Sequence, residues 1–275
     1  MPMTMKNRIF STAGIISILL IASIVFSSCS KTDDDKLVVG MELAYPPFET
    51  TDKDNKPTGI SVDLAYSLGE ALGREVVIEN IAWTGLIPAL ETGKIDIIIS
   101  SMTINDERKK TIDFSDPYAS IGLALLIGKD SSIQTFEDLK EQDKILAVKK
   151  GTSGHIYAQE HLPEENIMVF DKESACVLEV IQGKADAFTY DQLTIYRQWM
   201  QNEDSTRANL EPYQEEADFW GIGVNKDNPE LTEEINAFIS DFREDGGFDS
   251  LAEKYLKEEK DKFAELDIPF FFDIR

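Results

Sequence analysis

Ile95-Asp96-Ile97-Ile98-Ile99-Ser100-Ser101-Met102-Thr103-Ile104-Asn105-Asp106-Glu107-Arg108 is an apolar run that breaks into hydroxyls and ends on a guanidinium. Ile95 to Ile99 reads as a buried strand. Ser100, Ser101 and Thr103 then fall at the strand's end, where open α/β sheets hold their ligands. Arg108 offers paired N–H donors, which suit a planar carboxylate. The stretch therefore reads as a small polar cup for a carboxylate, and a free amino acid fits that chemistry.

Working outward, short apolar runs alternate with helical patterns along the rest of the chain. Leu37 to Met41 reads as a first strand, and Ile60, Leu64, Leu68 and Leu72 recur every fourth residue on a helix after it. Val76 to Trp83, Leu123 to Ile127, Ile145 to Val148, Ile167 to Phe170 and Ala185 to Thr189 continue the strands. Thr135, with Asp138 three positions on, reads as a helix N-cap. Leu231, Ile235, Phe238, Ile239 and Phe242 form a helical stripe closed by Gly246-Gly247. The class is α/β, with no internal repeat.

The first 28 residues carry Lys6 and Arg8, an apolar stretch from Ile9 to Phe26, then Ser27 and Ser28 ahead of Cys29. That is the pattern of an export signal. The apolar stretch, about 18 residues, is near the lower limit for a membrane span. Ser30 to Asp35 is polar and acidic, and residues 29–36 read as a tether ahead of a folded part that starts near Lys36. Without Lys6 and Arg8 the chain keeps 25 basic against 51 acidic residues, a formal charge of 25 − 51 = −26. Such a balance argues against nucleic acid as a partner, and the scattered charges read as a solvated acidic surface. Cys176 is the second of two cysteines, the other being Cys29 at the end of the signal, so stability of the folded part is expected to rest on packing rather than on a disulfide.

Several separate segments then agree with one family in order and spacing. They are Gly40-Met41-Glu42-Leu43-Ala44-Tyr45-Pro46-Pro47-Phe48-Glu49, Gly59-Ile60-Ser61-Val62-Asp63-Leu64, Trp83-Thr84-Gly85-Leu86-Ile87-Pro88-Ala89-Leu90, Ser100 to Arg108, and Asp113-Phe114-Ser115-Asp116-Pro117-Tyr118. From Leu37 to Leu256 the chain resembles the bacterial extracellular, periplasmic-type solute-binding proteins of polar amino acid ABC transporters, the family 3 that includes glutamine-binding and lysine/arginine/ornithine-binding proteins. The small-small-Cys end of the signal likewise resembles a lipobox, with Phe26 departing from its usual aliphatic residue. It implies lipidation of Cys29 and a place in the cell envelope, anchored outside the cytoplasm.

The resemblance implies a type II clamshell with two hinge crossovers. Residues 37–121 and 220–275 would form the first lobe and 122–219 the second, with hinges near Ser120-Ile121 and Phe219-Trp220. A monomer would close on its ligand and hand it to permease subunits, with no cofactor and no metal. Arg108 takes the ligand α-carboxylate. Asp191 matches the family's acceptor for the α-ammonium, helped by the Thr103 hydroxyl; it also suits the N-cap of a helix over Gln192 to Trp199, and the two roles are compatible. Gly151-Thr152-Ser153-Gly154 opens a helix after a strand, so Thr152 and Ser153 would meet the same carboxylate from across the cleft. Tyr45 and Trp83 match aromatic positions that sandwich the ligand side chain. Selectivity rests on Glu42, Ser101, Lys149 and Tyr190: a Glu42–Lys149 pair presents one acceptor and one donor, which favours an amide such as glutamine's over a basic side chain.

Two rivals share the fold: an amino-acid sensor acting through a receptor, and a dehydratase-like enzyme. For the enzyme no catalytic motif is present; His155 and His161 stand six apart, and no His-Glu-x-x-His pattern occurs. The tail, Lys257 to Arg275, carries Ile268-Pro269-Phe270-Phe271-Phe272, which is apolar enough to demand cover. It is expected to pack back on the first lobe.

Overall fold

The computed structural model describes residues 35–274. The expected signal over residues 1–28, the lipidated Cys29 and the tether as far as residue 34 lie outside the described residues. Lys36 itself already pairs with Glu75 in a strand, and its carbonyl accepts from Arg74 Nε at 3.0 Å. The folded body therefore includes the last residue assigned to the tether.

Two five-stranded sheets organise the chain. The first orders its strands Glu75–Asn80, Lys36–Met41, Ile97–Ile98, Gly223–Val224 and Asp113–Phe114; the second orders Ile167–Phe170, Leu146–Lys149, Ala187–Asp191, Leu123–Gly128 and Thr206–Asn209. In each sheet the strand that runs against both its neighbours has just arrived from the other sheet. The two connecting segments, Ala119–Ile121 and Asp218–Trp220, pair with each other as a short antiparallel ribbon. Sheet-forming segments thus occur in the α/β order that the alternating pattern implies.

Both sheets are covered on both faces, which is why their strands read as continuous apolar runs rather than alternating ones. On the first sheet Leu37, Val39 and Met41 pack against Leu64 and Leu68 of the helix Ile60–Leu72, while Ile98 packs with Leu86 and Leu90 of the helix Leu86–Glu91 on the other face. In the second sheet all six residues of Leu123–Gly128 are buried; Leu125 and Ile127 join one core, Ala124 and Leu126 the other. The Thr135 cap forms, its hydroxyl accepting from Asp138 N and the Asp138 carboxylate accepting from Thr135 N in return.

Three of the boundary differences from the sequence reading bear on the site. The strand expected to reach Trp83 ends at Asn80, and Trp83–Gly85 is a 3₁₀ turn whose Trp83 N–H donates to Glu42 Oε1 at 3.2 Å. The Ile95–Ile99 strand pairs as a strand only over Ile97–Ile98. Asp191 is the last residue of its strand rather than two positions past it.

The C-terminal tail is covered. Phe270 and Phe271 are buried in the first-sheet core, Phe271 O accepts from Ser120 N at 2.7 Å, and the Phe271 ring lies parallel to Trp220 at 6.2 Å. The tail therefore packs on the paired connecting segments. The helix Lys257–Glu265 before it also reaches the second sheet's side, where Arg197 bonds Glu259.

Candidate functional site

One cavity lies between the two sheets, and all eleven residues nominated from the sequence line it. Glu42, Tyr45, Trp83, Ser100, Ser101, Thr103 and Arg108 come from first-sheet segments; Lys149, Thr152, Ser153 and Asp191 come from second-sheet segments. Tyr190, the remaining selectivity candidate, lines it as well.

Local sequence explains each placement. Asn105 caps the short helix Asp106–Lys109 by accepting from Arg108 N at 2.9 Å, which turns the Arg108 side chain inward, where it is buried. Its Nη1 donates to Thr103 O at 2.5 Å and its Nη2 to Gly151 O at 3.0 Å, so it spans the cavity. The guanidinium also sits 5.2 Å from the Trp83 ring centre, a cation–π contact. Burial lowers its pKa to about 10, with the Asp218 charge opposing, so it stays protonated at neutral pH. Gly151 has φ 74°, in the left-handed region, and a Cβ there would stand 3.4 Å from Trp83 Nε1. A side chain at 151 would strain the backbone.

The second-sheet side meets it with opposite chemistry. Thr152 caps the helix Ser153–His161 by accepting from His155 N, and its hydroxyl donates to Lys149 O at 2.8 Å. Ser153 Oγ is 3.5 Å from Thr103 Oγ1. Lys149 donates to Glu42 Oε2, and its ammonium lies 5.7 Å from the Trp83 ring centre. Asp191 accepts from Thr194 N at 3.0 Å as the N-cap of the helix Gln192–Gln201, so the capping role is present. Its other oxygen accepts from the Tyr45 hydroxyl. Burial pushes the Asp191 carboxyl upward, and the Tyr45 hydrogen bond and those of the helix start pull it back.

Sequence reading missed Glu49. It lines the cavity with 1 % exposure, and three serine hydroxyls donate to it: Ser61 at 2.6 Å and Ser101 at 3.0 Å on Oε2, Ser100 at 3.3 Å on Oε1. Ser100 and Ser101 thus point at this carboxylate. Gly59 makes the cluster possible. With φ 126° and space for no Cβ within 2.3 Å of Phe48 O, it lets Ser61 N reach Phe48 O at 2.8 Å. Burial raises Glu49 to about 8, the serine hydroxyls and then Lys149 acting against it. The sequence contained one signal, a carboxylate within the Tyr45-Pro46-Pro47-Phe48-Glu49 run, but serines at 61, 100 and 101 meet it only in the folded chain.

Glu173 was also unmarked. It accepts from Gln198 Nε2 at 3.0 Å behind the cavity and is raised to about 7, by burial and then by Asp191. Cys176, one helical turn on, is buried, and burial raises its thiol to about 12. Trp220 and Ile121 of the connecting segments, with Leu123 at the start of its strand, complete the apolar lining.

Chemically, the cavity offers one cation and one anion at separate points, aromatic faces between, and a paired acceptor and donor. Among the described residues, no three His, Cys, Asp or Glu side chains are grouped to hold a metal ion, and no helix is long and apolar enough to cross a membrane.

Comparison with known proteins points to one family. The family model described as bacterial extracellular solute-binding proteins, family 3, matches residues 37–258. The L-cystine-binding protein TcyJ of Escherichia coli (strain K12) is 30% identical over 222 residues, covering 80% of this chain and 82% of the relative. The ABC transporter glutamine-binding protein GlnH of Bacillus subtilis (strain 168) is 32% identical over 231 residues, covering 82% and 83%. A solved ancestral arginine-binding protein bound to glutamine superposes with a TM-score of 0.73 at 34% identity, covering 81% of this chain and 98% of that one.

Proposed function

The chain belongs to the bacterial extracellular solute-binding proteins, family 3, and we propose that it is a lipid-anchored receptor of the cell envelope. It captures a polar L-amino acid and delivers it to an ABC permease, with no reaction of its own. Residues 37–121 with 220–275 act as one lobe and 122–219 as the other, hinged at the paired connecting segments. The ligand bridges them, and its binding energy selects the closed form.

The single observation that carries the reading is the charge pattern across the cavity, with Arg108 on the first-sheet side and Asp191 on the second. A zwitterion satisfies both, where a molecule carrying one charge leaves the other buried and unmatched at a cost of several kcal/mol. Arg108 takes the α-carboxylate with Thr103, Thr152 and Ser153 around it. Asp191 takes the α-ammonium. Tyr45 and Trp83 flank the side chain.

Lys149 and Glu42 then choose among side chains. An amide accepts from Lys149 and donates to Glu42, whereas a guanidinium or ammonium brings a like charge beside Lys149. L-glutamine is the favoured ligand and a basic amino acid the second. Calorimetry with the purified chain, unfolded and refolded to strip carried-over ligand, tests this across the standard amino acids and L-cystine. A glutamine winner supports the pair's role. An arginine winner removes Lys149 from selectivity, a cystine winner gives the pair a second zwitterion to hold, and silence throughout overturns the receptor reading.

A further inference from the structure

The cup at the end of the first sheet is a problem in counting protons. Each serine hydroxyl has one, and those of Ser61, Ser100 and Ser101 are all directed at Glu49. Ser100 Oγ accepts in turn from Glu42 N at 3.0 Å, and Ser101 is held at φ 51°, a left-handed backbone that only a well-fixed surrounding maintains in a non-glycine residue. With Glu49 ionised, Ser100 and Ser101 therefore show only lone pairs to the cavity, and an arriving carboxylate is repelled. With Glu49 neutral, its own O–H donates to one serine, and that serine's proton is released toward the cavity. No ammonium or guanidinium among the described residues bonds Glu49. Lys149 acts on it through space while bonded to Glu42, and the other titratable groups that face it are the buried phenols of Tyr118 and Tyr190.

We propose that Glu49 is a positioning residue for ligand capture: it takes a proton from solvent as the ligand carboxylate arrives, and so turns a serine of the cup from acceptor to donor. The inference rests on the amino-acid reading above. Its raised carboxyl, at about 8 in the empty site, puts both protonation states within reach near neutral pH, and a second negative charge beside it drives the proton on.

Calorimetric titration of the stripped protein with L-glutamine, and in parallel with L-arginine, tests this in buffers of different ionisation enthalpy at pH 7, 8 and 8.5. The expected result is net proton uptake of roughly half a proton at pH 8, with affinity falling by up to about tenfold per pH unit above that point. In Glu49→Gln the amide supplies the donors permanently, so the uptake disappears and affinity loses its pH dependence, apart from the ligand's own ammonium. Ser61→Ala leaves the cup serines in place but removes a donor that holds Glu49 down, so more of Glu49 is protonated before the ligand arrives and uptake at pH 8.5 decreases. Thermal unfolding of each variant reports that it folds. Binding without proton uptake, or equal uptake in wild type and Glu49→Gln, overturns the proposal alone. Failure of both probes to bind at any pH overturns the amino-acid reading for them and the proposal with it.

Discussion

Two buried carboxylates face the same cavity and are held in different ways. Glu49, on the first-sheet side, takes all three of its hydroxyl donors from its own side: Ser61, Ser100 and Ser101. Asp191, on the second-sheet side, takes a backbone N–H from its own helix and a hydroxyl from Tyr45 across the cavity. Burial raises both. The difference is that the first environment is complete within one wall, whereas the second is complete only with the walls together. On the clamshell reading proposed above, Asp191 is the carboxylate whose charge would depend on closure, and Glu49 the one whose charge would depend on pH and ligand.

The largest expected effect on binding strikes Asp191. Asp191→Asn keeps a good N-cap but removes the charge proposed to face the ligand ammonium, and should cost about 4 kcal/mol of binding, roughly a thousandfold. Calorimetry reads this directly, and a loss under tenfold would make Asp191 a cap and nothing more.

Next comes the pH dependence of stability. Glu49 is raised from 4.5 to about 8, so the folded state holds a proton that the unfolded chain releases. The contribution is fully present below pH 4.5 and is lost as pH rises toward 8. Its full span is about 5 kcal/mol, and Glu49→Gln should flatten unfolding midpoints across that window. An unchanged slope would place the titration elsewhere.

Tyr45→Phe isolates the donor that crosses the cavity. Removing a hydrogen bond to a charged acceptor should cost about 2 kcal/mol of affinity. Because that donor lowers the Asp191 carboxyl, binding should also weaken at a higher pH on acidification than in wild type. Equal acid limbs in the two proteins would erase the distinction between the walls. The smallest effect is that of Ser61→Ala on folding, about 1 kcal/mol at neutral pH, measurable by denaturant unfolding and expected to leave Asp191 untouched.

Much of this site could be read from the chain because the residues that carry it lie in compact runs. Arg108, Ser100, Ser101 and Thr103 fall within nine positions, and a strand end followed by a capped helix turn places them together. Glu42 and Lys149 stand 107 residues apart and still pair as their chemistry suggests. Glu49 was hidden for the opposite reason. Its partners come from a helix start and a strand end joined only by the sheet, and an acid in a proline-rich turn looks solvated. Trp83 was placed on a strand because Val76-Val77-Ile78 and Ile81-Ala82-Trp83 read as one segment across Glu79-Asn80; the strand ends at Asn80, three residues early, and the Trp83 N–H turns to donate to Glu42. The tail's aromatic run announced burial, while its seat against Trp220 and Ser120 needed the fold.

The most direct test is a titration of L-glutamine into the stripped wild-type protein and into Arg108→Ala at pH 7. The account predicts one saturable site in the wild type and an affinity reduced more than about a hundredfold in the variant, with both proteins unfolding cooperatively. Glutamine binding that survives the loss of Arg108 unchanged would contradict it.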